Sequence, residues 1–568
     1  MSQKQLTQKQ TRLLLQSLKD FDSRWDASAS LLRSEEDGRA YHGTRESAFY
    51  ALALLHRQQP GDVERAVSII HAIINLQLLC PDQIWHGTYP YGPETPRPPK
   101  AELDFCRITP TARWQGDLLW ERLTASFRKR LSSCNIPPEE RAEILTQLSS
   151  SLRDVFPVVW ETYDPNWREF ITASFALILE EYENLLPPET VSAIEQAARE
   201  SLKGARRRAE SGLTPLNTNV EVMHVFIFDA FSRRFQDPDL AAYAAAYASR
   251  FSEDYRQHHA VAEFNSPTYN GVVLSYTGLL RTRSSIEEVR SMGRLLEAGL
   301  WEDLAAFYNP AMKTLCGPFS RAYGLGIEGT ALPLLLYLGL DEIPAEDEPA
   351  FGPETESASV ICCSDVLIPA QVKKRFLALS EEDRVVKKQF CELAERGEPG
   401  KNRSLCTATG WITDRLMIGA LRGSTNTSHQ LHSAVVHWRD TDGFVSGLRL
   451  RRRTKDGRLV HLRTVLFDFE ASAGLLCGTI RNDTTEPVIC SFEIASSHAA
   501  RGTYRPEHWQ VNGLACSCRL HMESADQQPK AAEFAPEIKN EDLVWLNLSL
   551  QPGDFLRLEM RFSLQSSQ

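Results

Sequence analysis

Three short stretches place polar side chains where helical segments should begin, and their residue types suit proton transfer beside an anion. The first is PLNTNVEVMH, Pro215–His224. Asn217 and Asn219 precede a helix-period run from Val220 to Phe235, and His224 falls in its first turns. A helix start presents N–H groups and a positive dipole end, which suits an anionic group. An N-cap at Asn219 explains the same pattern without chemistry, and a single helical histidine is more often a packed or surface residue than a catalyst. The second stretch is AEFNSPTYN, Ala262–Asn270. Pro267 drives Ser266 out of the helical region, so Glu263, Asn265, Ser266 and Tyr269 crowd one loop-to-helix junction. A capping turn with Tyr269 as a wedge is one reading; a phenol moving a proton among polar groups is the other. The third is CGPFSRAYG, Cys316–Gly324, where a Gly-Pro turn leads to Arg321 and Tyr323. Arg321 could serve a helix as an ion-pair partner or hold a carboxylate in a bidentate fork. Upstream, YHGTRES brings His42 and Arg45, and QIWHGTYPY brings Trp85 and His86. Aromatic rings beside polar groups suit stacking on a sugar, although an apolar loop anchor uses the same residues.

These stretches sit at the boundaries of a helical series. Helix periodicity predicts Arg45–Gln58, Asp62–Leu79, Ala112–Leu131, Pro138–Val155, Asn166–Asn184, Pro188–Glu210, Asn219–Phe235, Pro238–His258, Thr268–Leu280 and Ser285–Tyr308, with Gln3–Phe21 and Ile327–Leu338 in addition. Paired helices in that number predict an α/α toroid over 1–340. The acidic, Pro-rich stretch 341–356 reads as a linker. Beyond it, 357–568 predicts a C-terminal antiparallel β-sandwich domain. Gly447–Phe469 reads as two strands around an Asp456-Gly457 turn, and Pro487–Ala495, Leu543–Leu550 and Phe555–Leu564 alternate apolar and polar residues. A helical insertion is expected near 371–396. The fold class is therefore multidomain, α then β.

With 568 residues, 42% of them hydrophobic, the chain can bury full cores. Its net charge of −11 argues against a nucleic-acid binder that relies on a global positive field, but leaves room for a local basic cleft. No run reaches the length of a membrane span. The first residues lack the apolar core of a secretory signal peptide, so a cytoplasmic location is expected. The twelve cysteines form no C-x-x-C pair and read as reduced, mostly buried thiols. No H-E-x-x-H or carboxylate cluster calls for a metal.

The order TNVEVMH, EFNSPTY, GPFSRAYG, then TATGWITDRLMIGA and AVVHWRD, resembles the heparinase II/III-like proteins. That resemblance covers most of the chain and implies an α/α toroid with a C-terminal β-sandwich. It also implies a lyase that cleaves a uronate-containing saccharide by β-elimination without cofactor or metal. Its Asn, His, Tyr and Arg would be Asn219, His224, Tyr269 and Arg321 here, with His42, His86, His432 or His437 as other candidates for the histidine. Asn219 and Arg321 would neutralise the uronate carboxylate. Tyr269 would act as base, acid or both, its pKa depressed by Arg321 and His224. Asn217, Glu263, Asn265, Tyr323, His42, Arg45, Trp85 and His86 would bind the saccharide, an anionic one included; no nucleic acid and no membrane partner is implied. The absent leader departs from secreted lyases and favours a small intracellular saccharide over a polymer. Two other readings remain. A hydrolase or isomerase would need carboxylates facing each other, with Glu263 opposite Asp164, Glu169 or Glu221. A non-catalytic saccharide-binding or scaffold protein would need only the aromatic rim.

Overall fold

The computed structural model describes residues 6–36, 39–81, 85–95, 126–155, 164, 166–211, 217–352, 355–379, 382–393, 403–424, 430–454, 457, 465–483 and 486–565. The chain forms two compact units, one of residues 1–19 with 216–568 and one of residues 20–215. Helix α1 (Gln8–Arg24) opens the chain.

In the unit 20–215, strands β1 (Trp25–Asp26), β2 (Leu31–Glu36) and β3 (Arg39–Gly43) form a small antiparallel sheet. Its presence corrects the expectation of an almost wholly helical first half. LLRSEE and RAYHG are too short and too mixed in period to read as strands until Asp26, beside them, binds Arg33 and Ser28. Helices α2 (Thr44–Arg57), α3 (Asp62–Asn75), α4 (Pro138–Val155), α5 (Trp167–Tyr182) and α6 (Pro188–Ser211) follow. Every residue from Ala48 to Leu55 is buried, so α2 is a central helix, and it packs on both α3 and α5. The predicted helix Ala112–Leu131 lies outside the described residues except for its last turns.

In the other unit, α7 (Thr218–Phe235) and α8 (Pro238–His258) pack as neighbours, as do α9 (Tyr269–Arg283) and α10 (Glu287–Phe307). The α7–α8 turn follows from its residues. Gln236 takes the left-handed C-cap, and Asp237 caps α8 by accepting from the N–H groups of Asp239 (2.9 Å) and Leu240 (3.2 Å), with Pro238 in the first turn. A two-residue pair, β4 (Tyr308–Asn309) and β5 (Thr314–Leu315), precedes α11 (Ala331–Gly339). Two short helices, α12 (Ala358–Cys363) and α13 (Ala370–Leu377), come next. The helix expected near 371–396 ends at Leu377, because Arg384–Leu393 (RVVKKQFCEL) pairs as an edge strand, β6, along the whole of β7.

The remainder is β. One antiparallel sheet of eight strands runs β18-β19-β13-β10-β9-β8-β7-β6. It contains β7 (Arg403–Ile412), β8 (Leu416–Arg422), β9 (Ala434–Arg439), β10 (Val445–Thr454), β13 (Val488–Ala495), β18 (Ala535–Asn540) and β19 (Leu543–Leu550) besides β6. The second sheet runs β11-β12-β20-β16-β15-β14, with β17 (Pro529–Lys530) paired to β16. Its strands are β11 (Val465–Ser472), β12 (Leu475–Asn482), β14 (Thr503–Tyr504), β15 (His508–Val511), β16 (Leu514–Glu523) and β20 (Phe555–Leu564). The alternation in FLRLEMRFSL buries Leu556, Leu558, Met560 and Phe562 on one face. The chain is thus a helical N-terminal region followed by C-terminal antiparallel sheets. The return strand of the hairpin expected around Asp456-Gly457 lies outside the described residues. Gly457 turns, at φ +85°, and its N–H bonds the Thr454 carbonyl (2.9 Å); among the described residues β10 pairs with β9 and β13 in one sheet and β11 with β12 in the other. Buried Cys490, Cys516 and Cys518 act as small core residues. Among the described residues, no helix is long and apolar enough to cross a membrane.

Candidate functional site

The three polar turns converge. Asn219, in the first turn of α7, donates from its side-chain Nδ2 to Glu263 Oε1 (2.7 Å) and from its backbone N–H to Glu263 Oε2 (2.9 Å). The N-cap is Asn217, in extended conformation, and not Asn219 as the sequence suggested. Glu263 therefore supplies the carboxylate at this helix start, where it meets an N–H that lacks an intrahelical partner and the positive dipole end. The place expected to receive a substrate anion is taken by the protein's own side chain. From the other side, Arg321 Nη1 donates to Glu263 Oε1 (2.7 Å), and Arg321 Nε donates to Gln430 Oε1 (2.5 Å). Burial pushes the Glu263 carboxyl above its ordinary range, against the pull of Arg321 and Asn219.

Arg321 lies over the ring of Tyr269, 4.2 Å from its centroid. The Tyr323 ring follows at 5.8 Å and is half exposed, so this aromatic pair leads from the buried ion pair to solvent. Burial raises the Tyr269 phenol well above its ordinary pKa, and Arg321 opposes that only in part. The depressed pKa expected from the sequence is thereby corrected: desolvation exceeds the effect of one guanidinium that is already paired to a carboxylate.

The EFNSPTY junction is built by short polar bonds. Ser266 Oγ accepts from the Tyr269 N–H (2.9 Å) and donates to the Arg321 carbonyl (2.6 Å), so the capping turn is real and also pins the arginine's backbone. Asn265 sits at φ +50° and donates from Nδ2 to the carbonyls of Cys316 (2.8 Å) and Pro318 (2.9 Å). It is a buried brace between the two loops, where the sequence suggested a substrate ligand. The large sheet holds the GPFSRAYG segment from its far side. Phe319 and His432 exchange backbone bonds (3.0 and 2.9 Å), and the Ala322 N–H reaches the Gln430 carbonyl (2.9 Å). Arg449 donates to the Tyr323 carbonyl (2.6 Å), and His437 Nε2 to that of Leu325 (2.8 Å). Gln430 carries no local signal in the sequence; only the strand pairing at His432 brings it to Arg321.

His224 is placed apart from these bonds. It is wholly buried, hydrogen-bonded through Nε2 to the Tyr243 hydroxyl (3.0 Å) and stacked among Phe228 and Tyr247. Its described neighbours are aromatic side chains of α7 and α8 rather than Tyr269 or Arg321. Glu221 accepts from the Tyr247 hydroxyl (3.0 Å).

His42, Arg45, Trp85 and His86 belong to the unit 20–215 and are described within it. His42 lies between Glu94 and Asp26. Arg45 bonds Glu46 and covers the rings of Trp167 and Phe170. His86 accepts from the Cys80 N–H at Nδ1 (3.1 Å) and meets Glu200 at Nε2 (2.8 Å). Trp85 is buried, which makes it a loop anchor and not a platform for a sugar. Among the described residues, no group of three or more His, Cys, Asp or Glu side chains could hold a metal ion.

A family profile described as a domain of unknown function (DUF8769) matches residues 11–105 and 149–336. That match takes in α7, the EFNSPTY junction and Arg321. No curated protein matches the chain. Among solved structures the chain is similar to a heparinase III, at 7% identity and a TM-score of 0.36, over 79% of this chain and 76% of that one. It is also similar to a heparan sulfate lyase from Pedobacter heparinus, at 10% identity and a TM-score of 0.30, over 98% and 89% of the two chains.

Proposed function

We propose that the chain is a carbohydrate-active lyase that cleaves a uronate-containing saccharide by β-elimination at Tyr269. The observation that carries this reading is the Arg321 guanidinium held over the Tyr269 ring by Glu263 and Gln430, with Tyr323 opening to solvent beside them. Such a preorganised cation can meet the carboxylate whose charge grows as the proton at C5 departs. A base takes that proton, the C5–H electron pair becomes the C4=C5 double bond, and the C4–O bond breaks toward the leaving oxygen. Tyr269, kept as a phenol by burial, suits donation of a proton to that oxygen. His224 and His432 are both wholly buried, and His432 Nε2 lies 3.4 Å from Arg449 and Arg451, so the base is to be identified by substituting the histidines one at a time. Asn219 and Glu263 become positioning residues for Arg321.

The same geometry weighs against a hydrolase. Both oxygens of Glu263 accept hydrogen bonds, three in all, so Glu263 is placed as an ion-pair partner and not as a proton-donating acid. The test is incubation with a panel of uronate-containing oligosaccharides under ultraviolet detection. Absorbance should rise as the double bond conjugates with the carboxylate. Cleavage that yields only saturated products would overturn the reading.

A further inference from the structure

The lyase reading leaves unused the most charged part of the large sheet. In β10, Arg449, Arg451 and Arg453 alternate and so share one face. All three are largely buried, and one carboxylate, Glu493 on β13, serves them all. Arg449 Nε bonds it at 2.7 Å, Arg453 also bonds it, and Arg451 stands 3.8 Å away. Among the described residues, Arg451 Nη1 also lies 3.4 Å from a nitrogen, His432 Nε2. The next carboxylate on this face, Glu537, is bonded to Lys539 and Asn547. Arg453 and Lys539 both lie against the Trp545 ring, at 3.5 and 3.9 Å. Four cations thus face two carboxylates among these described side chains.

Three donors in this group have no acceptor among the described residues: Arg451 Nε, Arg453 Nε and the Trp545 indole N–H. Arg451 is 5% exposed. A buried donor without an acceptor costs about 1–3 kcal/mol, and more when it is charged. Excess buried charge of one sign adds repulsion that burial does not screen. Burial and the two flanking guanidiniums hold Arg451 well below the ordinary arginine pKa. A group with several lone pairs and two negative charges would relieve both deficits at once.

We propose that Arg449, Arg451, Arg453 and Trp545 form a binding site for one sulfate- or phosphate-type oxyanion, free or carried on a sugar. Arg451 is its central ligand, the indole N–H of Trp545 a neutral donor at its edge, and Glu493 the spacer that keeps the outer two guanidiniums apart. None of these four side chains is assigned a step in the elimination, although Arg449 also donates to the Tyr323 carbonyl and Arg449 and Arg451 both reach His432.

The test is thermal unfolding of the full chain with sodium sulfate, sodium phosphate, a sulfated monosaccharide and a sugar phosphate. Each is compared with sodium chloride at equal ionic strength. Sulfate also stabilises proteins by exclusion from their surfaces, so the diagnostic is a saturable rise in Tm that Arg451→Met abolishes. Without added anion, Arg451→Met should melt at or above the wild type, because it removes one buried like charge and keeps the volume. Trp545→Phe, which keeps the ring and loses the N–H, should weaken the midpoint of the anion response severalfold. The arms with sugars identify the source: a stronger response to the sulfated sugar, or to the sugar phosphate, than to the inorganic ion shows a ligand carried on a saccharide. An equal response of wild type and Arg451→Met to every anion would overturn the proposal. So would a marked loss of stability in Arg451→Met with the anion response retained. If Arg451→Met fails to fold, an unaltered midpoint in Trp545→Phe overturns it equally.

Discussion

Tyr269 combines two properties that a single substitution can separate. Its ring is buried beneath Arg321 and beside Tyr323, and its hydroxyl is the group proposed to move a proton. Tyr269→Phe keeps the ring. If the hydroxyl is the acid, turnover should fall by roughly a hundredfold or more while the saccharide dissociation constant changes little. A wedge with a bonded hydroxyl would instead lose about 0.5–1.5 kcal/mol of stability and keep its activity. Turnover and urea unfolding on the same variant distinguish the two, and full activity would remove Tyr269 from the mechanism. At this scale the sequence discloses which residues gather, because Asn219, Glu263 and Tyr269 stand at or beside helix starts and Arg321 follows a Gly-Pro turn, each marked by Pro, Gly or Asn. It does not disclose their division of labour. Whether the helix start at Thr218 keeps its N–H groups for a ligand depends on Glu263, 44 residues downstream from Asn219, and no local pattern records that bond. The setting of His224 is hidden for a similar reason: its partner Tyr243 lies on the next helix, so the pair emerges only when α7 and α8 pack.

Elements position the site by close contact between the large sheet and the GPFSRAYG segment. Gly419 in β8 is the tightest example, since a Cβ there would lie 2.0 Å from the Gly317 carbonyl oxygen and 2.6 Å from its Cα. These are backbone atoms and cannot rotate away. Gly419→Ala should therefore cost about 1–3 kcal/mol, the usual range for overpacking, and should lower turnover by displacing the loop that leads to Arg321. Urea unfolding and a rate measurement check both; a variant with wild-type stability and rate would show that the contact is slack. One strand away, His437 ties β9 to the Leu325 carbonyl, and burial lowers its pKa to about 4. The unfolded chain takes up a proton near pH 6.5, whereas the folded one resists until about pH 4. Between those values the unfolded state binds more protons, so stability is lost as pH falls through that window, on the order of 3 kcal/mol from this group. His437→Gln keeps a neutral donor and should flatten the acid limb of stability against pH. Parallel curves for the two proteins would show that His437 does not govern it. Neither contact can be read from sequence: Gly419 stands inside an apolar strand with no turn signal, and nothing around His437 marks Leu325, 112 residues upstream, as its partner.

At the scale of the whole molecule, hydrophobic period separates a mainly helical first part from a mainly β last part, with the short strands β1–β5 before 341–356 and the helices α12 and α13 after it as exceptions. What period cannot show is how charge is distributed in space. The chain carries −11 overall, yet Arg321 and the β10 arginines concentrate positive charge within one unit. These opposing fields lead to a prediction about salt. Exposed charges that act over more than about 10 Å are screened at 0.1 M salt, while buried ones are screened far less. An anionic oligosaccharide held by one or two buried guanidiniums should therefore lose less than about tenfold in affinity between roughly 50 and 500 mM salt. Screening would also relieve its long-range repulsion from the acidic surface and offset part of that loss. A polymer gripped along an extended basic track would release many counterions and weaken by several powers of ten, as polyanions on basic surfaces do. Titration of a uronate oligosaccharide at several salt concentrations measures the slope directly. A shallow slope agrees with a small saccharide meeting a few enclosed charges. A steep one would point to a long polyanion and to basic contacts well beyond Arg321, and the small-substrate expectation would then have to be given up.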